Sequence, residues 1–397
     1  MTQSASAKMS CRIGLIGSQA WGRQLVAALT HQGATFRVLA GPTWLWTWAA
    51  EIAPSVEAVV DAAAAISHPE VDLLILADSL PYRSQLLLQA TQLDRPVLVM
   101  HPAGVEPEVF YTVQLALEER RLAVWPLLPH RFFQGLQETA AWRKKCQVSR
   151  DWHLEATIPV PVPAGFVKDT YASTTDTDQM PFLDGHPLWF WADWLRLLGG
   201  EVAEVYAVGD VGHILEPAWP VTLTGRWEQG GDFVVRFAPH VNEGFCLQAG
   251  AERLNWQGPT VSPGEVQVRW QTGSRDENRC LCEESIWDRI AGWILRGETS
   301  NLSPPTWADA VACAELVQAT VESLRSRKTV PLLHQEYTGP AVFKSRAATL
   351  GCGAVWVILG LVMLAPLLPQ ALYLVPIMLL ACLVMFVLGW LAYRRSD

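Results

Sequence analysis

Arg12–Leu29 leaves this chain few folds to choose from. It reads Arg-Ile-Gly-Leu-Ile-Gly-Ser-Gln-Ala-Trp-Gly-Arg-Gln-Leu-Val-Ala-Ala-Leu. A short apolar run, Ile13 to Ile16, stops at Gly17, and a proline-free helical pattern starts near Trp21. Strand, tight turn and helix in that order open a nucleotide-binding α/β domain. The fingerprint asks for three glycines. Here Gly17 and Gly22 are present, and Gln19 stands where a missing side chain normally lets the backbone approach a pyrophosphate. The turn Gly17-Ser18-Gln19-Ala20-Trp21-Gly22 is the first candidate binding element.

Strand and helix keep alternating beyond this unit. Phe36–Ala40 reads as a strand that runs into Gly41-Pro42-Thr43, without the acid that usually meets a ribose 2′-hydroxyl. Residues 56–66 hold a short strand and helix, and Val71–Ala77 is a continuous apolar run suited to burial on both faces of a parallel sheet. Tyr82–Gln92 predicts a helix, Arg95–Met100 a strand, Glu106–Arg121 a helix, Leu122–Leu127 a strand and Phe133–Lys145 a helix. Residues 11–150 therefore read as a doubly wound domain. Its ligand belongs at the carboxyl ends of the strands, at Gly17-Ser18-Gln19, Asp78-Ser79-Leu80, Met100-His101-Pro102 and Pro129-His130-Arg131. Asp78, Ser79, His101 and Pro102 thus join the turn as candidate cofactor contacts.

From residue 151 the period changes. Trp152–Val160, Val202–Gly209, Val221–Glu228, Asp232–Ala238, Gly244–Ala249 and Val266–Gln271 read as strands, several alternating apolar and polar residues. Leu188–Leu198, Glu283–Arg296 and Thr306–Ser326 read as helices. Residues 151–332 predict an α+β domain with an open, mostly antiparallel sheet.

Residues 1–10 form a polar tail with no signal peptide, and residues 333–346 a linker. Ala347–Tyr393 lacks any charged residue and is broken by Pro366-Leu-Leu-Pro369-Gln370. A helix needs about 20 apolar residues to cross a bilayer, so 347–367 and 371–392 predict a transmembrane hairpin. Lys344 and Arg346 precede it, and Arg394 and Arg395 follow. This balance places both ends, and the soluble domains, on the cytoplasmic side of what is expected to be a bacterial inner membrane.

A net charge of −9 and the lack of a basic run in the soluble part exclude nucleic acid as the expected partner. The 8 cysteines are scattered, with only Cys280-Leu-Cys282 close-set, so no metal site is expected and the thiols read as reduced and mostly buried. Among 19 tryptophans, Trp44, Trp46 and Trp48 and again Trp189, Trp191 and Trp194 cluster. They suit core packing, with stacking on sugar faces as the alternative.

In order and motifs, residues 12–331 resemble the Gfo/Idh/MocA oxidoreductases. The resemblance rests on Ile13-Gly-Leu-Ile-Gly17 with Trp21-Gly22-Arg23, Pro69-Glu-Val-Asp-Leu-Leu-Ile-Leu-Ala77, Asp193-Trp-Leu-Arg-Leu-Leu-Gly-Gly200, Pro304-Pro-Thr-Trp-Ala-Asp-Ala310 and residues 323–332. It implies NAD or NADP as cofactor, a sugar-like small molecule as substrate, and self-association through the open sheet. The family's Glu-Lys-Pro is Met100-His101-Pro102 here, and its Asp and His four residues apart fall on His186 and Phe190, with Asp193 matching the following acid. The resemblance thus makes His101, His186 and Asp193 the catalytic candidates. An imidazole with an ordinary pKa near 6.5 is able to replace the lysine in proton transfer. Each histidine also precedes a proline, as turn histidines do. Two functions emerge as expectations: a membrane-anchored oxidoreductase, or an inactive relative serving as a tethered binding or scaffold module.

Overall fold

The computed structural model describes residues 11–332 apart from 79, 94, 105, 121, 146–151, 161–186, 210–219, 239–240, 260–264, 273–274, 283–285 and 298–303. The first sheet comprises β1 (Arg12–Ile16), β2 (Thr35–Ala40), β3 (Glu57–Val59), β4 (Leu73–Leu76), β5 (Val97–Met100) and β6 (Val124–Leu127). All pairings are parallel, in the order β3-β2-β1-β4-β5-β6. That order reverses beside β1, the switch point at which doubly wound sheets bind ligands. Every residue of β4 and β5 is buried, as unbroken apolar runs require. The helices are α1 (Ala20–His31), α2 (Trp44–Ile52), α3 (Ala62–Ile66), α4 (Leu80–Ala90), α5 (Pro107–Arg120) and α6 (Gln134–Lys145).

The second sheet begins with β7 (Trp152–Pro159), followed by α7 (Pro187–Gly199), β8 (Val202–Val208), β9 (Val221–Trp227), β10 (Asp232–Ala238), β11 (Gly244–Ala249), β12 (Glu252–Gln257), β13 (Glu265–Thr272) and β14 (Arg275–Cys282). Then come α8 (Ile286–Arg296), α9 (Trp307–Ser326) and β15 (Val330–Pro331). The strand order is β14-β13-β12-β11-β7-β10-β9-β8-β15. Among the described strands only the β7–β10 pairing is parallel, so the sheet is mixed with antiparallel pairings in the majority. Along β7, Trp152, Leu154, Ala156 and Ile158 are buried while His153 and Glu155 are exposed, so one face meets the core and the other is open.

Helix α7 supplies much of that core through Trp189, Phe190, Trp191, Trp194 and Leu195, all buried. It ends where Trp227 lies against Gly199; a Cβ there would sit 1.7 Å from the indole Cε2. The Trp227 Nε1–H donates to Leu195 O at 3.0 Å. Helix α9 starts with a capping box in which Thr306 and Asp309 satisfy each other's backbone N–H groups. The two sheets belong to one compact unit.

Three elements are additions to those expected from sequence: α2, β12 and β14. Helix α2 is short and aromatic, with no capping bond to announce it. β14 reads Arg-Asp-Glu-Asn-Arg where alternation would be sought. It is an edge strand whose charges pair across and along the ladder, Arg269 with Asp276 and Arg279 with Glu277. Of the described free thiols, Cys313 is buried, Cys11 and Cys246 are half-buried and Cys280 is exposed on β14. The tryptophans of α7 are core, whereas Trp44 is 57% exposed. No helix among the described residues is long and apolar enough to cross a membrane. The tail, the linker and the expected hairpin at 347–393 lie outside the described residues.

Candidate functional site

The turn after β1 is built by close approach to β4. Gly17 has φ +102°, and a Cβ on it would lie 2.3 Å from Asp78 N. Its own N–H donates to Ala40 O at 2.9 Å, tying the turn to the end of β2. A Cβ on Gly22 would meet the Ala77 methyl at 2.4 Å, so this glycine lets α1 lie directly on the end of β4. Gln19 is extended (φ −61°, ψ 137°), its N–H donates to Ala77 O at 2.9 Å, and its side chain makes no capping bond. The amides of Ala20 and Trp21 open α1, where N–H groups lack intrahelical acceptors and the helix dipole favours an anion. There is no acid in this first turn. The cradle therefore fits a pyrophosphate, and Gln19, already in a conformation open to any residue, leaves its backbone intact.

His101 follows β5 and shares a cis peptide bond with Pro102. Its backbone N–H donates to Leu127 O at 3.1 Å, and its ring is wholly buried. The imidazole stands edge-on to Trp189 (5.5 Å between centroids) and Phe110 (6.1 Å). Neither ring nitrogen has a hydrogen-bond partner among the described residues. A neutral imidazole carries one donor and one acceptor, and each polar atom buried unsatisfied costs about 1–3 kcal/mol. Burial pushes the His101 pKa down to about 3, and the attraction of Asp193 does not offset it. The ordinary pKa near 6.5 expected from sequence is thus replaced by that of a desolvated, neutral ring.

Arg83, absent from the residues that sequence singles out, holds the loops on which His101 depends. It is fully buried on α4. Its Nη1 donates to Pro102 O at 2.7 Å and its Nη2 to Asp78 O at 2.9 Å, so one guanidinium clamps the turns after β4 and β5 together. Its one sequence signal is that of a lone arginine near the start of an otherwise uncharged helix at the carboxyl edge of the sheet.

Asp193 occupies a different environment from the open cleft in which an acid/base would be sought. It is fully buried and accepts from Arg131 Nε at 2.8 Å and Nη2 at 2.5 Å, a bidentate pair, while sharing 2.7 Å with His130 Nε2. Arg131 Nη1 continues to Asp309 at 3.1 Å, and Arg196 joins Asp309 at 3.0 Å and Glu201 at 2.6 Å. Burial opposes ionisation of Asp193, but the charge and hydrogen bonds of Arg131 outweigh it and hold the carboxyl well below the usual range. The His130 pKa is lowered by burial, which outweighs its bond to Asp193. Phe190 packs edge-on against His130 at 5.9 Å. Asp193 is thus a buried counter-ion linking the residues after β6 to α7 and α9.

The structure brings Gly17, Ser18, Gln19, Ala20, Trp21, Gly22, Asp78, His101 and Pro102 to the carboxyl edge of one sheet. His101 and Asp193 interact electrostatically, with no hydrogen bond between them among the contacts described. Ser79 and His186 lie outside the described residues. Among the described residues no cluster of His, Cys, Asp and Glu is arranged to hold a metal ion.

No protein-family model matches the sequence, and no curated protein matches it. Solved structures do. A levoglucosan dehydrogenase in complex with NADH and L-sorbose superposes with a TM-score of 0.63 at 14% identity, covering 82% of this chain and 99% of its own. An NAD binding oxidoreductase from Klebsiella pneumoniae gives 0.64 at 13% identity, with 82% and 99% covered. The WlbA dehydrogenase from Chromobacterium violaceum, in complex with NADH and UDP-GlcNAcA, gives 0.66 at 14% identity, with 82% and 97% covered. These neighbours are NAD-binding oxidoreductases of the Gfo/Idh/MocA type, and what this chain shares with them at such identity is their fold.

Proposed function

We propose that the protein is a membrane-anchored, NAD(P)-linked oxidoreductase acting on a CH–OH group of a sugar-like molecule. The observation that carries this reading is the buried imidazole of His101, with both nitrogens unsatisfied, on the same sheet edge as the Gly17–Gly22 cradle. The neighbours bound to NADH, L-sorbose and UDP-GlcNAcA support the ligand classes. The turn would hold the pyrophosphate through its backbone amides, and Asp78 and Pro102 would flank the nicotinamide end. The cofactor supplies the hydride chemistry when bound. His101, neutral because burial pushes its pKa down to about 3, would accept a hydrogen bond from the substrate hydroxyl and orient it, with His186 as the second candidate from the sequence. Asp193 stays ionised and positions Arg131 and His130 rather than exchanging protons. Residues 347–393 hold the enzyme at the cytoplasmic face of the membrane, and the open face of the second sheet offers a surface to a second copy.

A second reading, a tethered binding or scaffold module without turnover, is favoured by the complete burial of His101 under Trp189 and by the commitment of Asp193 to Arg131. Calorimetric titration of the full-length protein with NAD(H) and NADP(H), followed by redox assays of the parent and His101→Ala, separates the two. Cofactor binding with turnover that His101→Ala abolishes supports the enzyme. Binding without turnover supports the module. No binding at millimolar cofactor overturns the nucleotide reading altogether.

A further inference from the structure

The two halves of the candidate site meet at the first turn of α4. The cradle rests on the peptide after β4: a Cβ on Gly17 would lie 2.3 Å from Asp78 N and 2.4 Å from Ala77 O, and the Gln19 N–H donates to Ala77 O at 2.9 Å. From Asp78 the chain passes almost at once into α4. On that helix the buried Arg83 turns back and donates to Asp78 O, from Nη2 at 2.9 Å and from Nε at 3.2 Å.

The remaining nitrogen of Arg83 reaches the other half. Nη1 donates to Pro102 O at 2.7 Å, with Met100 O at 3.4 Å, so carbonyls on both sides of His101 face one guanidinium. A Cβ on Gly104 would come within 3.1 Å of the Ser84 Cβ, so this loop also lies directly on α4. The loop carries the His101 ring that stands against Trp189 and Phe110. A guanidinium is planar, and covalent geometry fixes the spacing of its nitrogens. A shift of the Asp78 carbonyl is therefore passed on to the Pro102 carbonyl, or it breaks a charge-assisted hydrogen bond in a buried site, where such bonds are strongest.

We infer that Arg83 is a positioning residue that couples the two halves: a nucleotide filling the Gly17–Gly22 cradle fixes the Asp78 carbonyl, and Arg83 carries that constraint to Pro102 and the loop of His101. The inference rests on the nucleotide reading above and adds a regulation of the same site, in which nucleotide occupancy sets the imidazole that faces the substrate. Coupling of this kind is reciprocal in free energy, so whatever fixes the His101 loop also tightens nucleotide binding.

The test uses adenosine 5′-diphosphate, which fills a pyrophosphate cradle and has no nicotinamide to touch His101. Amide hydrogen exchange of the full-length protein is followed by mass spectrometry with and without saturating ADP. Exchange is expected to slow in residues 13–22 and also in residues 97–104, the latter by at least about fivefold, the lower end of ordinary coupling. In Arg83→Lys, which keeps the charge and loses the fork, the slowing at 97–104 falls below about twofold. ADP affinity in that variant holds within about threefold, because the cradle amides are untouched. A residue that merely stabilised the fold would change exchange at 97–104 without changing its response to ADP. Protection confined to 13–22 in the parent overturns the coupling and leaves the nucleotide reading standing. Slowing at 97–104 that persists in Arg83→Lys overturns the assignment of Arg83, and failure of ADP to bind at millimolar concentration overturns both readings. Circular dichroism matching the parent qualifies the variant, and Arg83→Gln takes its place where Arg83→Lys does not fold.

Discussion

His101 and His130 are buried rings whose pKa values lie below the ordinary range because burial disfavours their charged forms. The unfolded chain protonates both near 6.5, so below that pH the unfolded state binds more protons than the native state, and stability falls as pH falls. For His101 the window runs from about 6.5 down to about 3, the folded value. Each neutral histidine steepens the loss by about 1.4 kcal/mol per pH unit. Melting temperatures of the full-length protein between pH 7 and pH 4.5 are expected to drop more steeply for the parent than for His101→Gln, and equal slopes would refute the burial. Asp193 has the same sign of dependence, at lower pH. Its carboxyl is depressed by Arg131, so its contribution is present above about 3.9, the ordinary aspartate value, and is lost as pH falls through the folded value. Asp193→Asn leaves Arg131 buried with half its partners and is expected to destabilise by about 3–5 kcal/mol. Replacing both residues, Asp193→Leu with Arg131→Met, should cost less than Asp193→Asn alone, as denaturation midpoints will report.

The contact between α1 and the end of β4 is where an element, rather than a side chain, decides function. Gly22→Ala puts a methyl 2.4 Å from that of Ala77, and neither backbone is free to yield. We expect α1 to be pushed away, with a loss of about 1–3 kcal/mol from overpacking and weaker nucleotide binding in the same calorimetric assay. Gln19→Gly, by contrast, should leave stability within about 1 kcal/mol, because Gln19 already adopts an extended conformation and spends no side-chain cap. These elements were legible in the sequence because strand, glycine and helix are local signals. The apolar runs at Val71–Ala77 and Arg95–Met100 were legible too, since burial on both faces leaves no polar residue to blur them. β14 was not, because an edge strand exposes its charges and forfeits alternation. Arg83 and the Arg131–Asp193 pair were invisible for a different reason. Their partners are main-chain carbonyls or a residue 62 positions away, and neither leaves a spacing to read.

At the scale of the whole molecule, the proposed hairpin at 347–393 would tether the fold to a membrane. Full-length protein is expected to sediment with membranes and resist salt extraction, while a chain stopped at Lys344 stays in the supernatant; recovery of both in the supernatant would remove the anchor from the proposal. The join between the two sheets also has a history in time. Arg131 is bonded to Asp193, 62 residues later, and to Asp309, 178 residues later. At about 5–20 residues per second, the ribosome takes on the order of ten seconds or more to deliver the last of these acids. Until Asp193 is made the nascent first domain carries a guanidinium destined for the interior with neither of these acids to neutralise it, and the set stays incomplete until Asp309 follows. The domain that sequence recognises first is therefore one the cell cannot finish until nearly all of the described chain has been made.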